Sequence, residues 1–262
     1  MFPGRILHYN ELMKTKLYIT LAAVLAAHFS AVAQLPGGGG SPAGINAAVV
    51  KLFGNITGFT AKADVQVLDK EEKETLRAPM DFALLDEKVR VQLDLTQMKN
   101  KDMPTGAAES LKQMGMSQVI SIIRPDQKLV YIIYPEQKCY LTMPLAKEDA
   151  DALEKNPKIE KTALGKETID GHPCVKNKVV LTDEKGQILE ATTWNATDLK
   201  DFPLQIRTKE KENTSIVRYK QVQFTKPEAK QFEAPAGYTK YNDAQELMQG
   251  MMKKMLSGGE TK

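Results

Sequence analysis

The sequence predicts a mainly β (α+β) fold: an antiparallel sheet of about ten or eleven strands, with helices at the N-terminus, mid-chain and C-terminus. Three observations carry this. Apolar and polar residues alternate through most of 59–224. Turn residues interrupt that alternation at short intervals, as at Asp69–Glu72, Asp86-Glu87, Pro125-Asp126, Pro135-Glu136, Asp170-Gly171 and Glu184-Lys185-Gly186. Helical spacing is confined to brief stretches, and no internal repeat is present.

The first 33 residues stand apart from this pattern. Lys14 and Lys16 precede the apolar run Leu17 to Phe29, and Ala31-Val32-Ala33 leads into Gln34. A basic start, an apolar stretch of this length and small residues at −3 and −1 read as a secretory leader cleaved between Ala33 and Gln34. Met13 makes a better start than Met1, so 1–33 reads as a leader with an over-extended beginning. The expected location is periplasmic or secreted. The residue after the cleavage point is Gln34, not the Cys that would carry acyl chains, so the exported part is expected to be soluble. No later apolar run is long enough to span a bilayer.

Residues 34–44 are rich in Gly and Pro and read as a flexible linker, and 45–241 as a single domain. Ile45, Val49, Leu52 and Phe53 share one face of a predicted helix over 45–55. Strands follow at 59–68, 76–84 and 89–95. Pro79 falls inside the second, which predicts an edge position or a bulge. Residues 104–115 break the alternation and read as a short helix or lid. Strands resume at 117–124, 128–134 and 138–143. The run Leu129-Val130-Tyr131-Ile132-Ile133-Tyr134 is apolar without alternation, which predicts cover on both faces by a helix, a loop or a ligand. A helix is expected over 145–155, then strands at 158–169, 172–182, 187–195, 202–211 and 214–224. The region 242–262 closes with an amphipathic helix capped by Asn242 or Asp243.

Charge and chemistry exclude several classes. The formal net charge is +3, and removing Arg5, Lys14, Lys16 and Glu11 with the leader leaves a near-neutral protein. That gives no electrostatic basis for nucleic acid as a partner. Of the three histidines only His172 lies beyond the leader, in a Gly-Pro turn, so neither a zinc site nor a Ser-His-acid triad is supported. There is no phosphate-binding loop or dinucleotide fingerprint. Acidic pairs such as Glu71-Glu72 sit in charged turns. Asn55, Asn195 and Asn213 open Asn-x-Ser/Thr triplets, relevant where the host glycosylates exports. No cofactor is implied. Cys139 and Cys174 fall in predicted strands and read either as a cross-strand disulfide or as two separate buried thiols. Met248, Met251, Met252 and Met255 recur at helical spacing with Leu247 and Leu256. They read as core or groove packing, with a copper(I)-binding thioether stripe and a Met-lined docking face as alternatives. Trp194, the one tryptophan, reads as core or rim packing.

Three motifs between Leu164 and Tyr241 carry a family resemblance. They are Gly165-x-Glu167-x-Ile169-x-Gly171-x-x-Cys174, then Asp198-Leu199-x-x-Phe202-Pro203-Leu204, then Phe232-x-x-Pro235-x-Gly237-Tyr238. In these the chain resembles bacterial exported proteins of the domain-of-unknown-function 4412 family. More remotely, the strand series is similar to Lol-type periplasmic lipoprotein carriers. That resemblance implies a curved antiparallel half-barrel, helices over its concave side, a hydrophobic cavity and no catalytic residues. Phe232 and Tyr238 flank a Pro-Gly turn suited to stapling the chain end onto the sheet.

The reading that follows is a non-enzymatic binding or carrier protein holding a lipid or acyl chain on the concave face. The expected lining is Met80, Phe82, Leu84, Val91, Leu93, Val130 and Ile132. The alternative is a structural or protein-interaction component of the envelope whose own side chains fill the core.

Overall fold

The structure is a computed structural model that describes residues 47–147, 149–150, 157–182, 186, 188–210 and 212–257. The leader, the 34–44 linker and much of the helix expected over 145–155 lie outside these, although Lys147, Asp149 and Ala150 are helical.

The strands are β1 (Gly58–Leu68), β2 (Glu74–Leu85), β3 (Lys88–Asp94), β4 (Lys99–Asn100), β5 (Gln118–Arg124), β6 (Leu129–Tyr134), β7 (Cys139–Pro144), β8 (Lys158–Ile169), β9 (His172–Thr182), β10 (Ile188–Ala196), β11 (Phe202–Glu210), β12 (Asn213–Gln223) and β13 (Thr239–Tyr241). Two α-helices are described, α1 (Ala107–Gln113) and α2 (Ala244–Ser257), and Ala47–Phe53 forms a 3-10 helix. All strands join one 13-stranded sheet in the order β13-β7-β6-β5-β3-β2-β1-β12-β11-β10-β9-β8, with β4 on β2. The sheet is unclosed, ending at β13 and β8. Every pairing is antiparallel except β13 with β7, which is parallel.

The sheet is curved, and the aromatic rings show it. Phe53 lies 4.9 Å from Phe59 on β1, 6.0 Å from Phe82 on β2, 5.6 Å from Phe202 on β11 and 5.6 Å from Tyr219 on β12. In a flat sheet β2 and β11 would stand roughly 14 Å apart. One ring reaches all four strands because the sheet wraps around it.

One large core fills the concave side, joining buried residues from Phe59 on β1 to Cys139 on β7 and Cys174 on β9. A smaller cluster on the other face contains Ala83, Leu85, Ile122, Ile133 and Phe232. This second cluster identifies what covers the non-alternating strand β6. Val130, Ile132 and Tyr134 face the main core, while Ile133 packs in the smaller cluster with Phe232. The cover is therefore the chain's own segment around Phe232 and Tyr238, which includes the 3-10 helix Ala229–Phe232. It is held by Tyr238 Oη donating to the Pro135 carbonyl at 3.5 Å and Arg124 Nη1 donating to the Phe232 carbonyl at 3.0 Å.

Some expectations change. The strands β4 and β13, two and three residues long, go beyond the predicted series because they are too short to show alternation. Pro79 is in neither an edge strand nor a bulge: it lies opposite Asp64 within the interior strand β2. On its other side the pairing of β2 with β3 ends at Met80 opposite Leu93, and that with β4 begins at Arg77 opposite Lys99. Pro79 therefore has a pairing partner on one side only, a gap in which a residue without an N–H is tolerated. The helix expected over 45–55 is a 3-10 helix over its described part. In α2 the Asp243 carboxylate accepts from the Glu246 amide at 2.7 Å, which makes Asp243 the cap.

Candidate functional site

The concave face is assembled by register. Met80 stands opposite Leu93, Phe82 opposite Val91 and Leu84 opposite Val89 across β2 and β3. Val91 stands opposite Ser121, Ser121 opposite Ile132, and Ile132 opposite Leu141. Opposed residues in a ladder share a face. A transverse row Ala61, Phe82, Val91, Ser121, Ile132, Leu141 therefore crosses six strands. All of the expected lining residues, Met80, Phe82, Leu84, Val91, Leu93, Val130 and Ile132, are brought into the main core. None is more than 5% exposed, so in this structure the face is packed rather than open.

Three short segments contribute to that packing. Phe53 from the 3-10 helix closes an aromatic cluster with Phe59, Phe82, Phe202 and Tyr219. Leu111 of α1 and the following Met116 are fully buried. Leu247 and Met251 of α2 belong to the same core, with Met248 and Met252 packed against it. The thioethers of Met248, Met251 and Met252 thus pack against the core, while the Met255 side chain lies outside the described residues.

Two hydroxyls sit in this apolar interior without a hydrogen-bond partner: Ser121 Oγ and Tyr219 Oη. Burial pushes the Tyr219 phenol well above its ordinary pKa, so it stays neutral. A buried hydroxyl with no partner costs stability. Neither residue was singled out from sequence. Ser121 left a signal there, as the polar member of the alternating series Val119, Ser121, Ile123.

At the rim where β2 begins, a cleft of about 400 Å³ opens between the Glu74-Thr75 end of β2, the segment 98–101 and the start of α1. Met98, Met103, Pro104 and Ala107 supply its apolar lining, and Lys99 and Lys101 its cations. Met98 belongs to the main core and Met103 packs against it, so the floor of the cleft meets the concave interior.

Of the two readings of the cysteines, the structure has the separate buried thiols and not the cross-strand bridge. Cys139 and Cys174 are both free and buried. They stand on β7 and β9, near opposite ends of the sheet, so the neighbouring-strand condition for a cross-strand bridge fails. Desolvation raises both thiol pKa values. Buried thiols of this kind are poor nucleophiles. His172 Nδ1 lies 2.8 Å from Asp198 Oδ2 at the surface, an arrangement that ties the β8–β9 turn to the loop after β10. Trp194 is buried, its Nε1 donating to Glu167 Oε2 at 2.7 Å with Lys176 Nζ 5.1 Å from the ring centroid. It is core packing with a polar tether. Among the described residues no group of three His, Cys, Asp or Glu is placed to hold a metal, and no helix is long and apolar enough to cross a membrane.

Residues 77–202 match the model of the family described as a domain of unknown function (DUF4412). This agrees with the family resemblance but is placed differently. The match reaches back over the alternating strands from β2 onward and stops at Phe202, short of the Phe232 to Tyr238 motif. No curated protein matches the sequence. Among solved structures, the chain is similar to a LolA-superfamily protein from Nitrosomonas europaea, at 11% identity over 71% of this chain and 94% of that one, with a TM-score of 0.39. It is also similar to the lipoprotein LppX of Mycobacterium tuberculosis, at 11% identity over 68% of this chain and 92% of that one, with a TM-score of 0.36. A third similarity is to the Pseudomonas aeruginosa MucA/MucB complex, at 14% identity over 73% of this chain and 62% of that one, with a TM-score of 0.35.

Proposed function

We propose that this chain is a non-enzymatic binding or carrier protein of the bacterial envelope that takes an apolar ligand, a lipid or acyl chain, onto the concave face of its sheet. The observation that carries the reading is the row from Ala61 to Leu141. It is a continuous apolar floor with an unpartnered hydroxyl at Ser121, over which the described cover consists of short helical segments. Such a cover can be exchanged. Lifting α2 exposes Leu247 and Met251, at roughly 1.5–3 kcal/mol each. Burying ten methylenes of a ligand returns about 8 kcal/mol. The incoming chain replaces the helix over the apolar floor. The leader expected at 1–33 supports delivery to the envelope.

A second reading is favoured by a different observation. The expected lining residues are all packed by the protein's own segments. A core that stays filled belongs to a structural or protein-interaction component of the envelope. Native mass spectrometry with lipid extraction, on protein purified from its own periplasm, separates the two. Co-purified lipid supports the carrier, and protein that carries none and takes up no added acyl chain overturns it.

A further inference from the structure

We infer that the rim cleft beside β4 is the docking site for the anionic head group of an amphiphile whose acyl chain continues to the concave interior. The inference rests on the carrier reading and adds to it an access point and a ligand class.

The volume of the cleft, about 400 Å³, is that of a small-molecule site. Its chemistry divides in two. The floor is apolar: Met98 is part of the main core, and Met103 lies against it. Unbranched thioether side chains re-pack around inserted chains at low cost. The lining also carries two ammonium groups, Lys99 and Lys101, and neither has an ion-pair or hydrogen-bond partner among the described residues. The one carboxylate in the lining, Glu74, accepts from Gln66 Nε2 on β1 at 3.1 Å. Two ammonium groups against this one carboxylate leave the described lining with an excess of one positive charge above an apolar floor.

That combination selects a ligand with both parts. A free anion would gain the lysines and leave Met98 and Met103 unused. A neutral hydrocarbon would gain the floor and leave the lysines unused. A carboxylate or phosphate head on an acyl chain uses both, with the head among Lys99 and Lys101 and the chain passing the methionines. Fatty acids and anionic phospholipids share this chemistry.

Calorimetric titration of the purified protein with oleate, methyl oleate, dioleoyl phosphatidate and inorganic phosphate tests it, alongside a Lys99→Gln, Lys101→Gln variant whose melting temperature matches the parent. Oleate or phosphatidate is expected to bind at least ~10-fold more tightly than methyl oleate. The variant should lose that preference while keeping its affinity for the ester. Tighter oleate points to free fatty acid as the source and tighter phosphatidate to phospholipid, and both support the inference. Equal binding of acid and ester, or a preference that survives in the variant, overturns the head-group site and leaves the carrier reading standing. Phosphate that binds as tightly as either amphiphile overturns the amphiphile requirement. If no acyl compound binds at all, the carrier reading and this inference fall together.

Discussion

Arg124 on β5 donates from Nη1 to the backbone carbonyl of Phe232, a residue 108 positions later in the chain, at 3.0 Å. The same guanidinium is bonded to Asp126 through Nε at 2.9 Å and Nη2 at 2.8 Å, and Nη1 pairs with Glu233 at 2.6 Å. The contact fixes the segment that places Phe232 in the convex cluster with Ile122 and Ile133. Replacing Phe232 with Ala should destabilise the protein by about 3–5 kcal/mol, the cost of emptying a fully buried aromatic site. Arg124→Gln should cost about 1–3 kcal/mol by leaving that carbonyl poorly paired. Urea unfolding at neutral pH measures both.

The Arg124–Asp126 pair sets an acid dependence. Hydrogen bonding to Arg124 holds the Asp126 carboxyl below its ordinary value, against opposing desolvation. A carboxylate whose folded pKa is depressed stabilises the fold above its unfolded pKa, about 3.9, and loses that contribution as pH falls through the folded value. Stability measured from pH 6 down to pH 2 should decline over that acid range, and Arg124→Gln should flatten the decline. An unchanged slope in the variant removes Asp126 from the acid response.

At the alkaline end the sign reverses. Burial raises the phenol pKa values of Tyr134 and Tyr219. A raised acid pKa in the folded state means that stability is complete below the unfolded pKa, about 10, and falls as pH rises above it. Tyr219→Phe removes the group that resists ionisation and also a hydroxyl with no partner. The variant should therefore match or exceed the parent by about 1 kcal/mol at pH 7, and unfold less steeply above pH ~10. A large loss at pH 7 would show that the hydroxyl is satisfied in solution.

Gly250 in α2 offers a test in which two effects oppose each other. A Cβ there would lie 2.6 Å from Tyr241 Cε1 and 2.7 Å from Cζ. Helix propensity alone favours Gly→Ala by about 1 kcal/mol. Overpacking against a buried ring costs about 1–3 kcal/mol. The clash wins, so Gly250→Ala should lower the melting temperature, and on the carrier reading it should also speed uptake of an acyl ligand by loosening α2. A stabilised variant would show that α2 does not rest on Tyr241.

The thiols give a direct check on the sheet order. Cys139 and Cys174 are buried and unbonded on distant strands. A disulfide-exchange reagent should react slowly with native protein and titrate two thiols after denaturation. Protein purified from an oxidising compartment should show the same mobility with and without reductant. A mobility shift on reduction would place β7 beside β9.

Much of the fold was legible because alternation is a local property. Residues 76–84 and 89–95 show it directly, and β2 and β3 follow within a few residues. The lining residues were legible for the same reason, since the period of two puts Met80, Phe82 and Leu84 on one side whatever they face. The non-alternating run at β6 announced cover on both faces. It could not name Phe232 as that cover, because the two are about a hundred residues apart and meet only through the fold. Ser121 and Tyr219 were missed because an unpartnered hydroxyl is defined by its surroundings. Lys99 and Lys101, on which the head-group inference rests, gave no signal in the sequence because two lysines close together are ordinary until a cleft forms beside them.

By itself the sequence determined the strands of ordinary length and their buried faces, which are readable from neighbouring positions along the chain. Tertiary structure alone decided the order β13-β7-β6-β5-β3-β2-β1-β12-β11-β10-β9-β8, and with it the curvature, the separation of the cysteines and the packing of the concave face. The physical reason is that burial is satisfied by any apolar neighbour. Alternation says which side of a strand must be covered, and only the register and curvature of the assembled sheet say whether the cover is a helix, a loop or a place for something else.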